Sequence, residues 1–253
     1  MENKKLKVKN KGQITIFVII AIVIIVIIGI LLFVSNKNLN PTNTNDASYN
    51  FVQGCLEQTG ERALDYIGKT GGYYNIPEKS TEYANSYYFY DNKNIMPTKE
   101  NIENETNLFV EDFGVDCASN NPQYGIINRG NVTAKTKIYD DKIEIQVKYP
   151  ITVEKSSKKI NYENFNVEIP GRVGILYKAS SEYIQGQVNN PEGICINCIN
   201  DIANKYDIKF ITYNYDNETI IFNLYDNNTK INNQSFYVYS FAVKYNMSEN
   251  PSI

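Results

Sequence analysis

The chain has 253 residues and a formal net charge of −3 at pH 7, and it contains neither histidine nor tryptophan. Without imidazole, the protein lacks a Ser-His or Cys-His nucleophile, a histidine metal ligand and a side chain whose ordinary pKa suits acid–base catalysis near neutrality. The remaining carboxylates, lysines, tyrosines and thiols show no catalytic pattern. We therefore expect no enzyme activity, no cofactor, and no catalytic, cofactor-binding or metal-binding residue.

The strongest pattern in the sequence is an apolar run from Ile14 to Val34, interrupted only by Thr15 and Gly29. As a helix rising about 1.5 Å per residue, the run would reach about 31 Å, which is enough to cross the roughly 30 Å hydrocarbon core of a bilayer. A cleaved secretory signal would have a shorter apolar region followed by small residues at the cleavage site, which Ser35–Asn38 do not provide. The sequence predicts a single transmembrane helix over residues 13–34, in contact with the lipid bilayer.

Positive charge lies mainly on one side of this span. Lys37 alone follows it closely, whereas five lysines precede it: Lys4, Lys5, Lys7, Lys9 and Lys11. Because lysines favour the cytoplasmic side, we expect a cytoplasmic N-terminus and an extracellular C-terminal part. Residues 35–253 carry 20 basic and 27 acidic residues, net −7. An acidic exterior argues against a nucleic-acid partner, because nucleic-acid binders present basic patches.

A short motif precedes and opens the span and reads Lys11-Gly12-Gln13-Ile14-Thr15-Ile16-Phe17. This motif resembles the archaeal class III signal peptide of type IV pilin-like proteins. The resemblance implies that a prepilin peptidase cuts between Gly12 and Gln13 on the cytoplasmic side and leaves the apolar helix attached. The whole pattern is similar to that of poorly characterised archaeal proteins with such an anchor and one exterior α+β domain.

Two features favour a tethered surface domain over a pilin subunit. Pilins commonly carry Glu at the fifth mature position, where this chain has Phe17. Pilins also continue the membrane helix outward, whereas Pro41 here lies in a polar, Asn-rich stretch that disfavours helix. We expect four segments: a basic cytoplasmic leader (1–12), the transmembrane helix (13–34), a flexible linker (35–47) and an exterior domain (48–253).

The exterior domain shows helical spacing of apolar residues first and alternation later. Helical spacing predicts a helix over Tyr49–Ile67 capped by Ser48, and a second from Pro97-Thr98 to about Asp116. Further helices are expected at 172–185 and 198–206. Strands are expected at 132–138, 143–153, 160–169, 208–215, 219–225 and 234–244, with an extended segment at 83–90. Because helices and antiparallel hairpins mix without βαβ alternation, the sequence predicts an α+β fold.

The four cysteines form two groups. Cys55 and Cys117 lie on the apolar faces of two predicted helices, so either a disulfide links these helices or both residues are buried free thiols. Cys195 and Cys198 form a C-x-x-C motif, for which a local structural disulfide is favoured, with a redox site or a metal site as alternatives. Four cysteines allow three pairings, and sequence alone does not choose between them.

Two other residue types suggest surface chemistry. Six N-x-S/T sequons occur, hardly more than the roughly four that chance predicts for this composition. They start at Asn104, Asn131, Asn217, Asn227, Asn233 and Asn246. Asn217 and Asn227 lie in predicted turns and are the best candidates for glycosylation.

The clusters Tyr73-Tyr74 and Tyr87–Tyr90 either line a carbohydrate or protein contact face or are half-buried sheet residues.

Three functional hypotheses follow from the sequence. The first is a single-pass membrane-anchored cell-surface protein with a structural or binding exterior domain, whose partners are envelope proteins, glycans or like subunits. The second is a processed type IV pilin-like filament subunit. The third is an envelope thiol-disulfide oxidoreductase that uses Cys195 and Cys198.

Overall fold

In a computed structural model of the chain, the described residues are Ile24, 46–119, 122–189, 193–231 and 236–245. Gly12 and Gln13 lie outside them, as does the predicted span apart from Ile24. Within these ranges, no helix combines the length and the apolar character that crossing a membrane requires. The chain divides into two compact units, Met1–Thr44 and Asn45–Ile253, and the architecture below is that of the second unit.

The described part of this unit contains four α-helices and two β-sheets, which confirms the predicted α+β class. The helices are α1 Ala47–Lys69, α2 Lys99–Gly114, α3 Val173–Asn189 and α4 Ile196–Tyr206. Short 3-10 helices at Val115–Ala118 and Pro122–Tyr124 follow α2. The strands are β1 Tyr87–Tyr90, β2 Lys93–Asn94, β3 Ile126–Arg129, β4 Thr133–Ile138, β5 Lys142–Lys155, β6 Lys158–Pro170, β7 Lys209–Asn214, β8 Thr219–Asp226 and β9 Tyr237–Lys244.

The first sheet has five strands in the order β2-β1-β9-β8-β7. Its pairs are antiparallel except for β1 and β9, which run parallel, with Tyr87 opposite Ala242. The second sheet is built around the long strand β5, which pairs with β6 along one edge and with β4 and then β3 along the other. Both sheets are consistent with the predicted hairpins, but the parallel pair corrects the expectation of antiparallel strands alone.

Helix α1 begins two residues earlier than predicted and has a different cap. The carboxylate of Asp46 accepts hydrogen bonds from the backbone N–H groups of Ser48 at 2.8 Å and Tyr49 at 3.4 Å. Asp46 is therefore the N-cap, and the expectation that Ser48 caps the helix was wrong. The Ser48 hydroxyl instead donates to the backbone carbonyl of Tyr124, 2.8 Å away, and ties the helix start to the second 3-10 helix.

Helix α1 packs against both sheets through glycines that allow close approach. A Cβ atom at Gly60 would lie 2.9 Å from the side chain of Ile169 in β6, and one at Gly68 would lie 2.6 Å from the backbone oxygen of Val238 in β9. A side-chain methyl can shift, whereas a strand carbonyl is held by its sheet. The contact between α1 and β9 therefore depends on Gly68 having no side chain.

Two glycine-to-alanine substitutions in α1 are expected to act in opposite directions. Gly68→Ala should lower the free energy of unfolding by about 1–3 kcal/mol, because the new methyl group has no room against β9. A methyl group at Gly54 would have no neighbour within 4 Å, so Gly54→Ala should raise it by up to about 1 kcal/mol through helix propensity. Urea denaturation followed by far-ultraviolet circular dichroism measures both, and equal effects would contradict the close packing at Gly68.

The core of the first sheet is aromatic. Tyr183 of α3 packs on Phe222 of β8 with ring centroids 4.6 Å apart, and Phe222 stacks on Phe241 of β9 at 5.4 Å. The hydroxyls of these buried tyrosines pair with one another: Tyr183 with Tyr245, and Tyr88 with Tyr239, each at 2.7 Å. Helix α3 thus packs on one face of the sheet, and each of these four tyrosine hydroxyls has a hydrogen-bond partner.

Stability is expected to fall as the pH rises above about 10. Burial raises the pKa of Tyr245 to about 12, from an ordinary value of 10.0. The unfolded chain therefore releases this proton at lower pH, so the contribution is fully present below about pH 10 and is lost towards pH 12. Urea denaturation between about pH 9 and pH 11.5 measures this loss. Tyr245→Phe should show a smaller loss over the same range, and an identical loss would contradict the assignment.

Candidate functional site

The four cysteines all lie among the described residues and pair as two disulfides. Cys55 of α1 is bonded to Cys117 of the 3-10 helix after α2, with the Cα atoms 5.4 Å apart. Cys117 is buried and Cys55 is half-buried. The predicted pairing of the first two helical segments is confirmed, and it makes two buried free thiols untenable.

Cys195 and Cys198 form the second disulfide, at the start of α4. Cys195 is the N-cap of this helix, and its sulfur accepts a hydrogen bond from the Cys198 backbone N–H at 3.2 Å. Both residues are half-buried, whereas Ile196 between them is 66% exposed. The local disulfide predicted from the C-x-x-C motif is confirmed, and with the sulfurs bonded in pairs none of the four is free to ligate a metal.

The two favoured sequon asparagines are exposed. Asn217 lies in the bend between β7 and β8, and Asn227 lies in the turn that follows β8. Both predicted turns are present. The hydroxyl of Thr229, the third residue of the Asn227 sequon, is buried and hydrogen-bonded to Asp226. The Asn233 and Asn246 sequons lie outside the described residues.

The tyrosine clusters singled out in the sequence are largely structural. Tyr88 and Phe89 are fully buried, and Tyr87 and Tyr90 are half-buried. Tyr74 is also half-buried, and its hydroxyl donates to the carboxylate of Asp112 at 2.9 Å. These clusters therefore match the half-buried alternative rather than an open contact face.

A different group of tyrosines lines a cleft on the face of the first sheet that the helices leave open. Tyr213 of β7 is the cross-strand partner of Ile221 in β8, so both side chains lie on this face, and Asn223 follows two residues along the same strand. Tyr215 lies just after β7, and Tyr83 comes from the loop between α1 and β1. Together they bound a cleft of about 430 Å³.

The loop that carries Tyr83 is held in place by its own hydrogen bonds. Asn85 donates from its side-chain amide to the Lys69 carbonyl at 3.1 Å, which ties the loop to the end of α1. Ala84 has a positive φ of 63° and donates its N–H to the Thr81 carbonyl at 2.9 Å, closing a tight turn. The turn projects the Tyr83 side chain outward, where it is 73% exposed.

The aromatic rings of the cleft meet at right angles. The rings of Tyr83 and Tyr215 have centroids 5.8 Å apart and an interplanar angle of 88°. The Tyr215 hydroxyl accepts a hydrogen bond from the Glu82 backbone N–H at 3.4 Å. Tyr213 is 51% exposed. Burial, together with the neighbouring Tyr213, raises the pKa of Tyr225. Tyr215 and the loop that carries Tyr83 therefore hold each other in place.

The polar groups of the cleft are neutral amides. The side-chain oxygen of Asn223 accepts from the Ser240 hydroxyl, which fixes the amide and turns its NH₂ group away from that partner. Among the described residues, this NH₂ group has no hydrogen-bond partner. The lining of the cleft includes no lysine, arginine, aspartate or glutamate.

The sequence predicts an extended segment for Tyr83 and a strand for Tyr213 and Tyr215, but its local pattern does not predict that these residues meet. The available signal was the alternation of Ile211, Tyr213 and Tyr215, which puts three large side chains on one face of a strand. The arrangement offers aromatic walls, an apolar floor at Ile221 and amide hydrogen-bonding groups, which suit binding rather than bond breaking.

No protein-family model, no curated protein and no solved structure matches this chain.

Proposed function

We propose that the chain is a single-pass membrane-anchored cell-surface protein whose disulfide-linked exterior domain binds another component of the cell envelope. The observation that carries this proposal is the pairing of all four cysteines into disulfides. Disulfides persist in oxidising surroundings and are rare in the cytosol. The apolar run Ile14–Val34 and the lysines before it support an anchor with the described domain on the extracellular side.

The resemblance to a class III signal peptide supports export with processing between Gly12 and Gln13. Mass spectrometry of the purified mature chain tests this step. A first residue at Gln13, in protein that stays in the membrane fraction after a carbonate wash, is the expected result. Gly12→Leu should leave Met1 in place by blocking the peptidase. An intact Met1 in the wild-type chain would contradict the processing, and release by carbonate would contradict the anchor.

A pilin-like filament subunit is the first alternative and would begin at the same residue. The two proposals differ in where the protein is found. A tethered surface domain should stay with the cells when filaments are sheared off. Recovery of the chain in the sheared filament fraction, in proportion to a known filament subunit, would favour the alternative.

A thiol-disulfide oxidoreductase is the second alternative, and one observation favours it. Cys195 occupies the N-cap of α4, the position at which redox motifs place their first cysteine, and the exposed Ile196 adjoins it. Reduction potentials of such enzymes lie between about −270 and −120 mV, whereas structural disulfides lie below about −300 mV. We expect a potential below about −300 mV for Cys195–Cys198, measured in the wild-type chain by equilibration with dithiothreitol and peptide mass spectrometry, which separates this pair from Cys55–Cys117. A potential between about −270 and −120 mV would favour the oxidoreductase.

A further inference from the structure

We propose that the cleft between Tyr83, Tyr213 and Tyr215 binds a neutral carbohydrate of mono- or disaccharide size. This assignment names the ligand class for the exterior domain and so rests on the proposed binding function, although the chemistry of the cleft does not depend on the membrane anchor. Four features carry it: exposed aromatic faces, free amide groups, a neutral lining and a fixed geometry.

The aromatic faces match the apolar side of a sugar ring. One face of a pyranose presents C–H bonds that carry a small positive charge, and the face of an aromatic ring is negative. Tyr83 and Tyr213 are 73% and 51% exposed, so both rings have area to cover. Because the rings of Tyr83 and Tyr215 stand at 88°, a sugar that stacks on one of them contacts the edge of the other.

The amide groups match the hydroxyl groups of a sugar. A hydroxyl both donates and accepts, and a side-chain amide provides both functions. The amide nitrogen of Asn223 is oriented by the bond from Ser240 to its oxygen, and its N–H groups have no partner among the described residues. A ligand rich in hydroxyl groups would satisfy them.

The neutral, partly polar lining disfavours charged ligands and purely apolar ligands. A phosphate, a carboxylate or a metal ion would need charged groups that the lining does not contain. A purely apolar ligand would leave the Asn223 amide without a partner. The volume of about 430 Å³ lies at the lower end of the range for small-molecule sites.

The geometry is set before any ligand arrives. The Asn85 amide anchors the Tyr83 loop to Lys69, and Tyr215 is fixed by the N–H of Glu82. Little loop entropy is therefore lost on binding, which a weakly held ligand such as a sugar requires. Tyrosine and asparagine are also common in protein-binding surfaces. The small, walled cleft favours the sugar, and a protein segment is the competing occupant.

The test uses the purified full chain in a zwitterionic detergent, because detergents with sugar headgroups would compete for the cleft. The probes are cellobiose, maltose, lactose and N,N′-diacetylchitobiose, and binding is read by saturation-transfer NMR and by tyrosine fluorescence. At least one probe should bind. Tyr83→Ala and Tyr213→Ala should each weaken that binding about tenfold, and Tyr83→Phe should retain it.

Tyr139→Ala is the matched control, because Tyr139 is also an exposed tyrosine (45%) but lies in the turn between β4 and β5. Thermal unfolding verifies that each variant is folded, as expected for exposed side chains. Failure of all four probes to bind the folded chain would overturn the sugar assignment, as would equal weakening by Tyr139→Ala. Capture of a protein by a photo-crosslinker at position 83, without sugar binding, would assign the cleft to a protein segment.

This test separates failure of the sugar assignment from failure of the proposed function. Sugar binding by a chain that carbonate releases from membranes would leave the cleft assigned and remove the anchor. An anchored, exterior chain that binds none of the probes would leave the proposed function standing without this ligand.

Discussion

Replacing Cys55 and Cys117 by alanine is expected to lower the free energy of unfolding by about 4 kcal/mol. The disulfide joins residues 62 positions apart, so removing it frees a large loop in the unfolded chain. Alanine is preferred to serine because Cys117 is buried and a new hydroxyl there would add a desolvation cost. Urea denaturation measures the change, with tyrosine fluorescence as a clean probe because the chain has no tryptophan.

The second disulfide provides the matched control. Cys195 and Cys198 are three positions apart, and the same loop-entropy relation gives about 2 kcal/mol for the alanine double variant. This bond encloses only Ile196 and Asn197, in the first turn of α4. Equal losses for the two variants would contradict the view that the Cys55–Cys117 bond stabilises the domain by cross-linking distant parts of the chain.

Arg172→Ala should destabilise the domain by about 3–5 kcal/mol, because it leaves a buried carboxylate without its cation. The Arg172 guanidinium lies 2.8 Å from Asp226, whose side chain is 0% exposed. The same guanidinium donates to the backbone carbonyls of Tyr206 and Asp207, at the end of α4. One side chain therefore ties the start of α3, the end of β8 and the end of α4 together.

An exposed ion pair is the control for this second prediction. Lys148 lies 3.0 Å from Glu163 on β5 and β6, and both side chains are more than half exposed. Lys148→Ala should cost less than about 1 kcal/mol, because solvent screens exposed pairs. Arg172→Ala combined with Asp226→Asn should recover part of the loss. A loss from Arg172→Ala as small as that from Lys148→Ala would show that Asp226 does not depend on its partner.

Sequence pattern predicted the elements whose signals are local. The apolar alternation of Ile143, Ile145 and Val147 marked β5, and all three side chains are buried as expected. The sequence predicts that a helix begins at Pro97-Thr98, and the Thr98 hydroxyl caps that helix by accepting a hydrogen bond from the Asn101 N–H. The sequence predicts turns at 140–141 and 156–159, and the structure has a bend and a turn within these ranges, although the following strand begins at Lys158, two residues earlier than predicted. Turn residues need no distant partner, so a local pattern marks them.

The sequence did not predict contacts between distant residues. Tyr87–Tyr90 reads as an extended segment, but its burial follows from pairing with β9, about 150 residues later, which local alternation does not encode. Strand β3 shows one buried residue followed by three exposed ones, so it carries no period-two signal. Short edge strands of this kind form because a partner strand is already in place.

The cleft could not be predicted for the same reason. Tyr83 and Tyr215 are separated by more than 130 residues and meet only because β1 pairs with β9 and β9 with β8. Clustered tyrosines predict a contact surface, but only the order of the strands determines which tyrosines lie next to one another. The sequence likewise predicts only that a helix begins at Arg172. The ion pair of this residue with Asp226 joins positions 54 residues apart, which a local pattern does not encode.

Labelling of intact cells tests the exterior location of the domain most directly. Lys148 and Lys155 have side chains that are 61% and 64% exposed, so a membrane-impermeant amine reagent reaches them wherever the domain meets solvent. Peptide mass spectrometry after labelling should find both lysines modified in intact cells, while a cytosolic marker protein stays unmodified. Modification of these lysines only after the cells are broken would contradict an extracellular domain.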